Sequence, residues 1–281
     1  MEKYRIDLRQ PSSHFLYITV RIECHYADGA VGSGTAFFFR DGDPAGEEIS
    51  YLVTNNHVVQ DSVQLRVQFH IGRGHEPWDF MVDEERWVTI DDPADLWISH
   101  PDPAVDLCAV PVQVLKNKYS VLADVFFTPI SASSIPKAEE EKSYHALMSI
   151  AMIGYPIGLW DERNNLPILR RGTTASHAGI DFNGKPEVVV DMACFPGSSG
   201  SPVVFYDLQY FASAVRFLGV LYAGPTYTLD GNVSLRRIPT CSSRSSGVET
   251  MIHLGYVIKS REVLQLTRSI RAKEIKNAYA S

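Results

Sequence analysis

The chain is a succession of short apolar runs, rich in β-branched and aromatic residues, that turn-forming residues separate. Five runs lie in the first half of the chain: residues 15–22, 34–39, 51–54, 63–69 and 107–112. Five more lie in the second half: residues 148–153, 187–192, 202–205, 216–222 and 253–258. Strands of this length and spacing are typical of a sandwich or barrel, whereas α/β proteins alternate them with helical patterns. The sequence therefore predicts an all-β fold.

The runs fall into two groups, which predicts two β-domains. We place the first at residues 13–115 and the second at residues 145–259. Residues 116–144 between them are polar and poorly patterned in their second half, so we expect a connecting segment with no strand in that half. A second polar stretch, residues 230–249, has little apolar content. We expect it to form a surface loop.

Residues 260–281 predict a C-terminal α-helix. Ser260 suits the N-cap, and Val263, Leu266 and Ile270 recur at helical spacing. Basic residues crowd the last turns, where the helix dipole favours them. We expect this helix to pack on the preceding domain.

Charge and composition exclude several classes of function. The 26 basic and 33 acidic residues give a net charge of −7, which argues against binding to nucleic acid or anionic lipid. No apolar run is long enough to span a bilayer, and the first residues lack the apolar stretch of a secretory signal. We therefore expect neither a membrane nor a nucleic-acid partner, and a cytoplasmic location.

Cysteines and histidines give no support for a metal or another cofactor. The four cysteines are scattered along the chain: Cys24, Cys108, Cys194 and Cys241. None forms a CxxC pair, so we expect isolated thiols rather than a zinc site. His70 and His75 do not have the spacing of paired ligands on a helix, and we expect both to lie in loops.

The segment 196–202, Pro-Gly-Ser-Ser-Gly-Ser-Pro, is the most informative about chemistry. Glycines beside a serine allow a tight turn whose backbone N–H groups point at one spot. A hydroxyl on such a turn can attack a carbonyl while the N–H groups stabilise the oxyanion. Serine and glycine clusters are more often plain loops, so a catalytic interpretation needs partner residues elsewhere.

A serine hydroxyl reacts only if a base takes its proton and a carboxylate orients that base. His57 directly follows the apolar run 51–54, and Asp106 directly precedes the run 107–112. Asp102 is the nearest alternative to Asp106, but it lies between two prolines and precedes no strand directly.

Together, these contexts resemble the trypsin-like (chymotrypsin-fold) serine peptidases, and specifically their HtrA-like bacterial branch. The similar motifs are GSGTAF (32–37), TNNHVV (54–59), DLCAV (106–110), IGYP (153–156), DMACFPGSSGSP (191–202), GVLYA (219–223) and LGYVI (254–258). They occur in the family's order along nearly the whole chain. HtrA proteins also carry a peptide-binding PDZ module after the peptidase, and we expect none here because few residues follow the last motif.

The resemblance implies two six-stranded antiparallel Greek-key β-barrels with the active site in the cleft between them. It assigns Ser199 as the nucleophile, His57 as the general base and acid, and Asp106 as the group that orients the imidazole. The backbone N–H groups of Gly197 and Ser199 would form the oxyanion hole. The reaction would be peptide hydrolysis through an acyl-enzyme, without a cofactor.

The resemblance also implies where a protein or peptide substrate binds. Leu221, Tyr222 and Ala223 would lie on the strand edge that pairs with the substrate main chain. The implied wall of the primary specificity pocket is Ala193, Cys194 and the edge from Tyr222 to Gly224. None of these residues is charged, so we expect a preference for aliphatic or aromatic residues before the scissile bond. Because HtrA relatives commonly act as oligomers, the resemblance also implies a homo-oligomer as one option. The expected lack of a leader and of a PDZ module indicates control by a separate regulatory protein as another.

Two residues depart from the family pattern. Ser198 stands where the family carries Asp or Asn, so we expect no activation through a freed N-terminus. Ser201 replaces the second glycine of the usual pair, and we expect it to affect the fit of the substrate. These departures favour the alternative function, a catalytically impaired trypsin-fold module that binds peptides or proteins. An α/β-hydrolase esterase is disfavoured, because position 201 is not glycine and that family has the order Ser, acid, His.

Overall fold

The computed structural model describes residues 11–42, 46–73, 81–206, 216–228, 233–237 and 249–280. The strands of the first sheet are β1 (Thr19–Tyr26), β2 (Val31–Gly42), β3 (Glu48–Thr54), β4 (Ser62–Arg73), β5 (Met81–Asp91), β6 (Ile98–Ser99), β7 (Cys108–Pro111), β8 (Val125–Phe126) and β9 (Ile130–Ser131). The strands of the second sheet are β10 (Ser149–Gly154), β11 (Ile168–Thr174), β12 (Glu187–Asp191), β13 (Pro202–Phe205), β14 (Arg216–Thr228), β15 (Val233–Arg237), β16 (Glu249–Met251) and β17 (Leu254–Lys259). The α-helices are α1 (Asn56–Val59), α2 (Val112–Lys118), α3 (Ala138–Glu141) and α4 (Ser260–Ala280).

Both sheets contain a Greek key. The first runs β5-β4-β1-β2-β3-β7-β6, with β8 beside β4 and β9 parallel to β2. The second runs β13-β10-β11-β12-β17-β14 and closes into a six-stranded ring because β13 also pairs with β14. The fourth strand of each set lies beside the first, in the order β4-β1-β2-β3 and β13-β10-β11-β12, which is the Greek-key arrangement. The predicted all-β, chymotrypsin-like class is confirmed. Of the two predicted six-stranded barrels, the second sheet forms one, whereas the first sheet has nine strands and no closing pair among the described residues.

Several local predictions differ from the structure. The first run begins as a 3-10 helix, Pro11–Tyr17, before β1. His70 lies buried in β4 rather than in a loop, because its ring packs edge-on against Tyr17. The short strand β9 lies in the second half of the connecting segment. In the stretch 230–249, the structure has the strand β15 and the first residue of β16. The rest of that stretch, with Cys241, lies outside the described residues, as does His75.

The apolar runs are continuous because most central strands are buried on both faces. Successive side chains of a strand point to opposite faces. In β2, Phe37 and Phe39 therefore face a core shared by the two sheets, whereas Phe38 faces the interior of the first sheet. The second sheet contributes Phe217 to the shared core, with its ring edge-on to Phe37 at 5.5 Å between centroids.

Helix α4 packs on the shared core, as the predicted C-terminal helix should. Val263, Leu266 and Ile270 are fully buried there. The Thr267 hydroxyl donates to the buried carboxylate of Asp41 at 3.1 Å, which ties the helix to the first sheet. None of the helices in the described ranges is long and apolar enough to cross a membrane.

Candidate active site

His57 lies on the single turn of α1, directly after β3 of the first sheet. Val58, the next residue, is fully buried against Gly34 of β2. A Cβ atom at position 34 would come within 2.4 Å of a Val58 methyl group. The glycine at position 34 therefore lets α1 sit close to β2, and this fixes the backbone that carries the imidazole.

Asp106 is held in the loop between β6 and β7 by the segment that carries His57. Its backbone carbonyl accepts a hydrogen bond from the Asn55 side chain at 2.8 Å. Its carboxylate accepts the backbone N–H of His57 at 3.0 Å through Oδ1. The Asp106 side chain is only 2% exposed, so these bonds hold an acid that water scarcely reaches.

The structure brings the three predicted catalytic side chains together. His57 Nδ1 lies 2.5 Å from Asp106 Oδ2, and His57 Nε2 lies 3.0 Å from Ser199 Oγ. His57 and Asp106 come from the first sheet, whereas Ser199 precedes β13 of the second. The imidazole thus contacts the hydroxyl on one side and the carboxylate on the other. Asp102, the alternative acid, is exposed and accepts the N–H of Ala104 within its own loop.

The loop that carries Ser199 is fixed by hydrogen bonds to both sheets. The Ser199 carbonyl accepts the backbone N–H of Thr35 in β2 at 2.9 Å. Gly200 donates to the Leu221 carbonyl at 2.9 Å, and Leu221 donates to the Ser201 carbonyl at 3.0 Å. The nucleophile loop therefore has backbone partners on each side of the cleft.

Two glycines of this loop have backbone conformations that favour glycine. Gly197 and Gly200 both have φ of +84°. At Gly200, an added Cβ atom would come within 1.9 Å of the Thr35 carbonyl oxygen. The close approach of β2 to the loop thus requires glycine at position 200.

The predicted oxyanion hole contains a backbone N–H that is available to a ligand. The Gly197 N–H donates to no protein acceptor among the described residues. The carbonyl before it, that of Pro196, accepts the N–H of Ile157 at 2.5 Å. Because that carbonyl is held by the 3-10 segment Pro156–Gly158, the peptide N–H of Gly197 is fixed in direction.

The two departures from the family pattern are buried side chains. Ser198 is fully buried, and its hydroxyl has no hydrogen-bond partner within the described ranges. The Ser201 hydroxyl donates to the Thr35 hydroxyl at 3.2 Å. It lies 2.0 Å from where a Cβ atom at Gly154 would be. Glycine at position 154 thus makes room for the extra side chain of Ser201 between the sheets.

A cation lies behind the wall of the predicted specificity pocket. The Arg170 guanidinium donates to the Ala193 carbonyl. Its Cζ atom lies over the ring of Phe195, 4.8 Å from the ring centroid. Burial raises the pKa of the neighbouring Cys194 thiol to about 12, against the opposing effect of Arg170. The wall residues are uncharged, as the sequence indicates, but sequence reasoning missed Arg170 because β11 was not among the predicted strands.

Tyr222 connects the predicted substrate edge to Glu187 of β12. Its hydroxyl donates to a carboxylate oxygen of Glu187 at 2.7 Å. Burial raises the pKa of Tyr222, and the carboxylates of Glu187 and Asp106 raise it further. Tyr222 therefore remains a protonated donor at neutral pH.

Thr35 and Asn55 are further site residues that sequence reasoning did not assign. Both lie inside motifs that it singled out, GSGTAF and TNNHVV. The signal was the polar Thr35 inside an apolar run and Asn55 directly after another, since a polar group that becomes buried must have a partner. In the part of the chain that the structure describes, no group of three or more His, Cys, Asp or Glu residues could hold a metal ion.

Comparisons with known proteins identify the family of the chain. The similar solved structures include the Rv3671c protease of M. tuberculosis in its active form, with 16% identity, 94% of this chain and 86% of that chain covered, and a TM-score of 0.48. They also include the MamO protease domain of Magnetospirillum magneticum. It has 12% identity and a TM-score of 0.45, and the match covers 80% of this chain and 93% of that chain. No curated protein sequence matches the chain. The family model described as "Trypsin-like peptidase domain" matches residues 34–209, which is more than half of the sequence. The chain belongs to the trypsin-like peptidase family.

Proposed function

We propose that this protein is a serine endopeptidase that hydrolyses peptide bonds through Ser199, His57 and Asp106. The observation that carries the proposal is the position of the His57 ring, with Nε2 at 3.0 Å from the Ser199 hydroxyl and Nδ1 at 2.5 Å from the Asp106 carboxylate. A serine hydroxyl beside an oriented imidazole is the arrangement that makes it nucleophilic.

Each group has one role in the proposed reaction. Ser199 Oγ attacks the peptide carbonyl carbon while its proton passes to His57 Nε2. The N–H groups of Gly197 and Ser199 stabilise the negative charge on the carbonyl oxygen. His57 then gives the proton to the leaving amine, which breaks the C–N bond and leaves an acyl ester on Ser199. Water, activated by His57, attacks the ester, and hydrolysis releases the acid and restores the hydroxyl.

Asp106 acts on the imidazole rather than on the substrate. Its carboxylate fixes the tautomer that carries the proton on Nδ1, so Nε2 is free to accept the proton from Ser199. It also stabilises the imidazolium that forms during the attack. Its burial strengthens this interaction, because little water screens it.

Substrates of this site are proteins or peptides that extend along the edge of β14 at Tyr222 and Ala223. Leu221, the third residue expected there, has both of its backbone groups bonded to the nucleophile loop. The side chain before the scissile bond would meet the uncharged wall at Ala193 and Cys194, so we propose a preference for aliphatic or aromatic residues there. Cleavage of a peptide library tests this preference, and a dominant Lys or Arg signal would contradict it.

A fluorophosphonate probe tests the proposed nucleophile. The wild-type protein and the Ser198→Ala variant should both be labelled, because the Ser198 hydroxyl is buried beside the site and contacts no described acceptor. Ser199→Ala should lose the label and reduce kcat by a factor on the order of 10⁴–10⁶. If folded wild-type protein takes no label and cleaves no peptide, the alternative of a peptide-binding module with lost chemistry is supported instead.

A further inference from the structure

Strand β15 lies on the edge of β14 that faces the nucleophile loop. Ala223 of β14 pairs with Tyr256 of β17 and also with Arg237 of β15. Because a strand has two edges, β15 and β17 must lie on opposite sides of β14. β17 occupies one edge, which leaves β15 on the other edge, the one that pairs with β13.

The other partners on the same edge place β15 next to the active site. Arg216–Val220 pair with β13 there, and Leu221 exchanges hydrogen bonds with Gly200 and Ser201 of the nucleophile loop. β15 pairs from Ala223 onward. It therefore continues the same edge directly beyond the loop that carries Ser199, with only Tyr222 between.

The direction of the backbone groups agrees with this arrangement. The Pro225 carbonyl accepts the N–H of Ile252, on the side of β16 and β17. Backbone polar groups of successive residues alternate between the two edges. Gly224 and Thr226 thus point their N–H and C=O groups toward β15, opposite Arg236 and Ser234.

This stretch of the β14 edge is covered in this conformation. Ala223 and Gly224 are both buried, so an extended peptide cannot pair with them without a rearrangement. Among the described strands, β15 pairs with β14 alone. A five-residue strand with a single partner can separate at lower cost than a strand inside the sheet.

We propose that β15 is an autoinhibitory strand that occupies the substrate-pairing edge of β14 at Ala223 and Gly224. Extended peptides bind only when β15 separates and the peptide takes its place as the edge strand. Short substrates that do not reach Gly224 are not subject to this competition. This inference rests on the proposed function, because it takes the edge of β14 as the substrate site.

A proline substitution tests the competition. Ser234→Pro removes an N–H that points toward β14, whereas Leu235→Pro removes one that points away, so the second variant is the matched control. Two substrates share the residues nearest the scissile bond, and only the longer one extends past Gly224. We expect Ser234→Pro to raise kcat/KM for the long substrate, relative to kcat/KM for the short substrate, by about fivefold. This is the effect expected from the loss of one hydrogen bond between β15 and β14. An equal ratio in wild type and in both variants would overturn the inference.

A disulfide crosslink tests the opposite change, in which β15 is held on β14. It does not require a variant that weakens the pairing of β15. Pro225 and Leu235 are directly opposed at a position without mutual hydrogen bonds. Their Cα atoms should lie about 4.5 Å apart, which suits a disulfide. Oxidised Pro225→Cys/Leu235→Cys should cleave the short substrate but not the long one, and a reductant should restore cleavage of the long one. The single variant Leu235→Cys, under the same treatment, should cleave both.

Peptide binding separates this inference from the proposed function. In Ser199→Ala carrying the same cysteine pair, a fluorescent long peptide should bind more weakly after oxidation than after reduction, as fluorescence anisotropy would measure. Equal affinities would overturn the inference, even in an enzyme that takes the fluorophosphonate label. Weaker binding after oxidation would uphold it, even if absent labelling had excluded the peptidase.

Discussion

The carboxylate of Asp106 receives two hydrogen bonds from one residue, the backbone N–H and the ring Nδ1 of His57. We expect Asp106→Asn to keep the shape of the site and to lower kcat by a factor on the order of 10⁴, because an amide favours the wrong tautomer of the imidazole. Hydrolysis of a peptide ester in a steady-state assay would measure the loss.

Asp102→Asn is the matched control for this substitution. Asp102 is exposed, and its Oδ1 accepts the N–H of Ala104, a bond that an amide oxygen can also accept. We expect kcat within about twofold of wild type, since a surface substitution of this kind changes little. Equal losses in the two variants would contradict the assignment of Asp106 as the acid.

The Thr35 hydroxyl links three parts of the cleft. It donates to the Gly197 carbonyl at 3.2 Å and accepts the N–H of Tyr155 and the hydroxyl of Ser201. Thr35→Val keeps the shape but leaves these buried groups without a partner, which costs about 1–3 kcal/mol. We expect kcat to fall by roughly 10- to 100-fold with a smaller change in KM, and Thr35→Ser to restore most of it. If Thr35→Ser is as impaired as Thr35→Val, the hydroxyl is not the cause.

Gly200 and Gly29 have the same φ of +84° but different surroundings. A Cβ atom at Gly200 would lie 1.9 Å from the Thr35 carbonyl oxygen, whereas one at Gly29 would meet nothing within 4 Å. Gly29→Ala should cost only the backbone strain, about 1 kcal/mol in the free energy of unfolding. Gly200→Ala should cost several kcal/mol more because the strands must separate. Urea unfolding measures both, and equal costs would show that the contact with Thr35 is unimportant.

The ion pairs of Asp181 predict a dependence of stability on pH. Burial alone would raise the pKa of Asp181, but hydrogen bonds and charge from Arg261 and Lys259 outweigh it and lower the pKa. A lowered carboxyl pKa stabilises the fold above the unfolded value of about 4, and the contribution is lost as the pH falls through the folded value. We expect Asp181→Asn to cost about 1 kcal/mol at pH 7, after allowing for the exposure of the acid, and less at about pH 3, below the unfolded value.

Thermal unfolding at the two pH values measures the effect at Asp181. Glu139→Gln is the control, because its ion pair with Lys142 is long and exposed on both sides. That variant should have the same Tm as wild type at both pH values. A destabilisation by Asp181→Asn that is equal at pH 7 and in acid would contradict the proposed linkage.

The sequence was most informative where a local pattern and a chemical requirement coincide. His57, Asp106 and Ser199 each sit at the end or start of an apolar run, and strand ends are where a cleft between sheets can receive side chains. The structure has His57 directly after β3, Asp106 before β7 and Ser199 before β13. Their distances could not be predicted, because these depend on the contact of β2 with the nucleophile loop through Thr35 and Gly200, which are far apart in the chain.

Prediction was poorest where a strand lacks an apolar run. β11 carries Arg170 and Arg171, and Thr174 is the one buried residue of its seven, so its pattern is not that of a buried strand. β15 lies in a polar stretch and is a strand because β14 extends far enough to pair with it. Backbone pairing of this kind leaves little trace in the side-chain pattern.

The core shared by the two sheets has a thermodynamic consequence. Phe37 of the first half, Phe217 of the second and Val263 of α4 lie in one apolar cluster. Neither half can separate without exposing the same surface to water, so the chain should melt in a single transition rather than in two steps. The catalytic groups, which come from both halves, would then be lost together at one temperature.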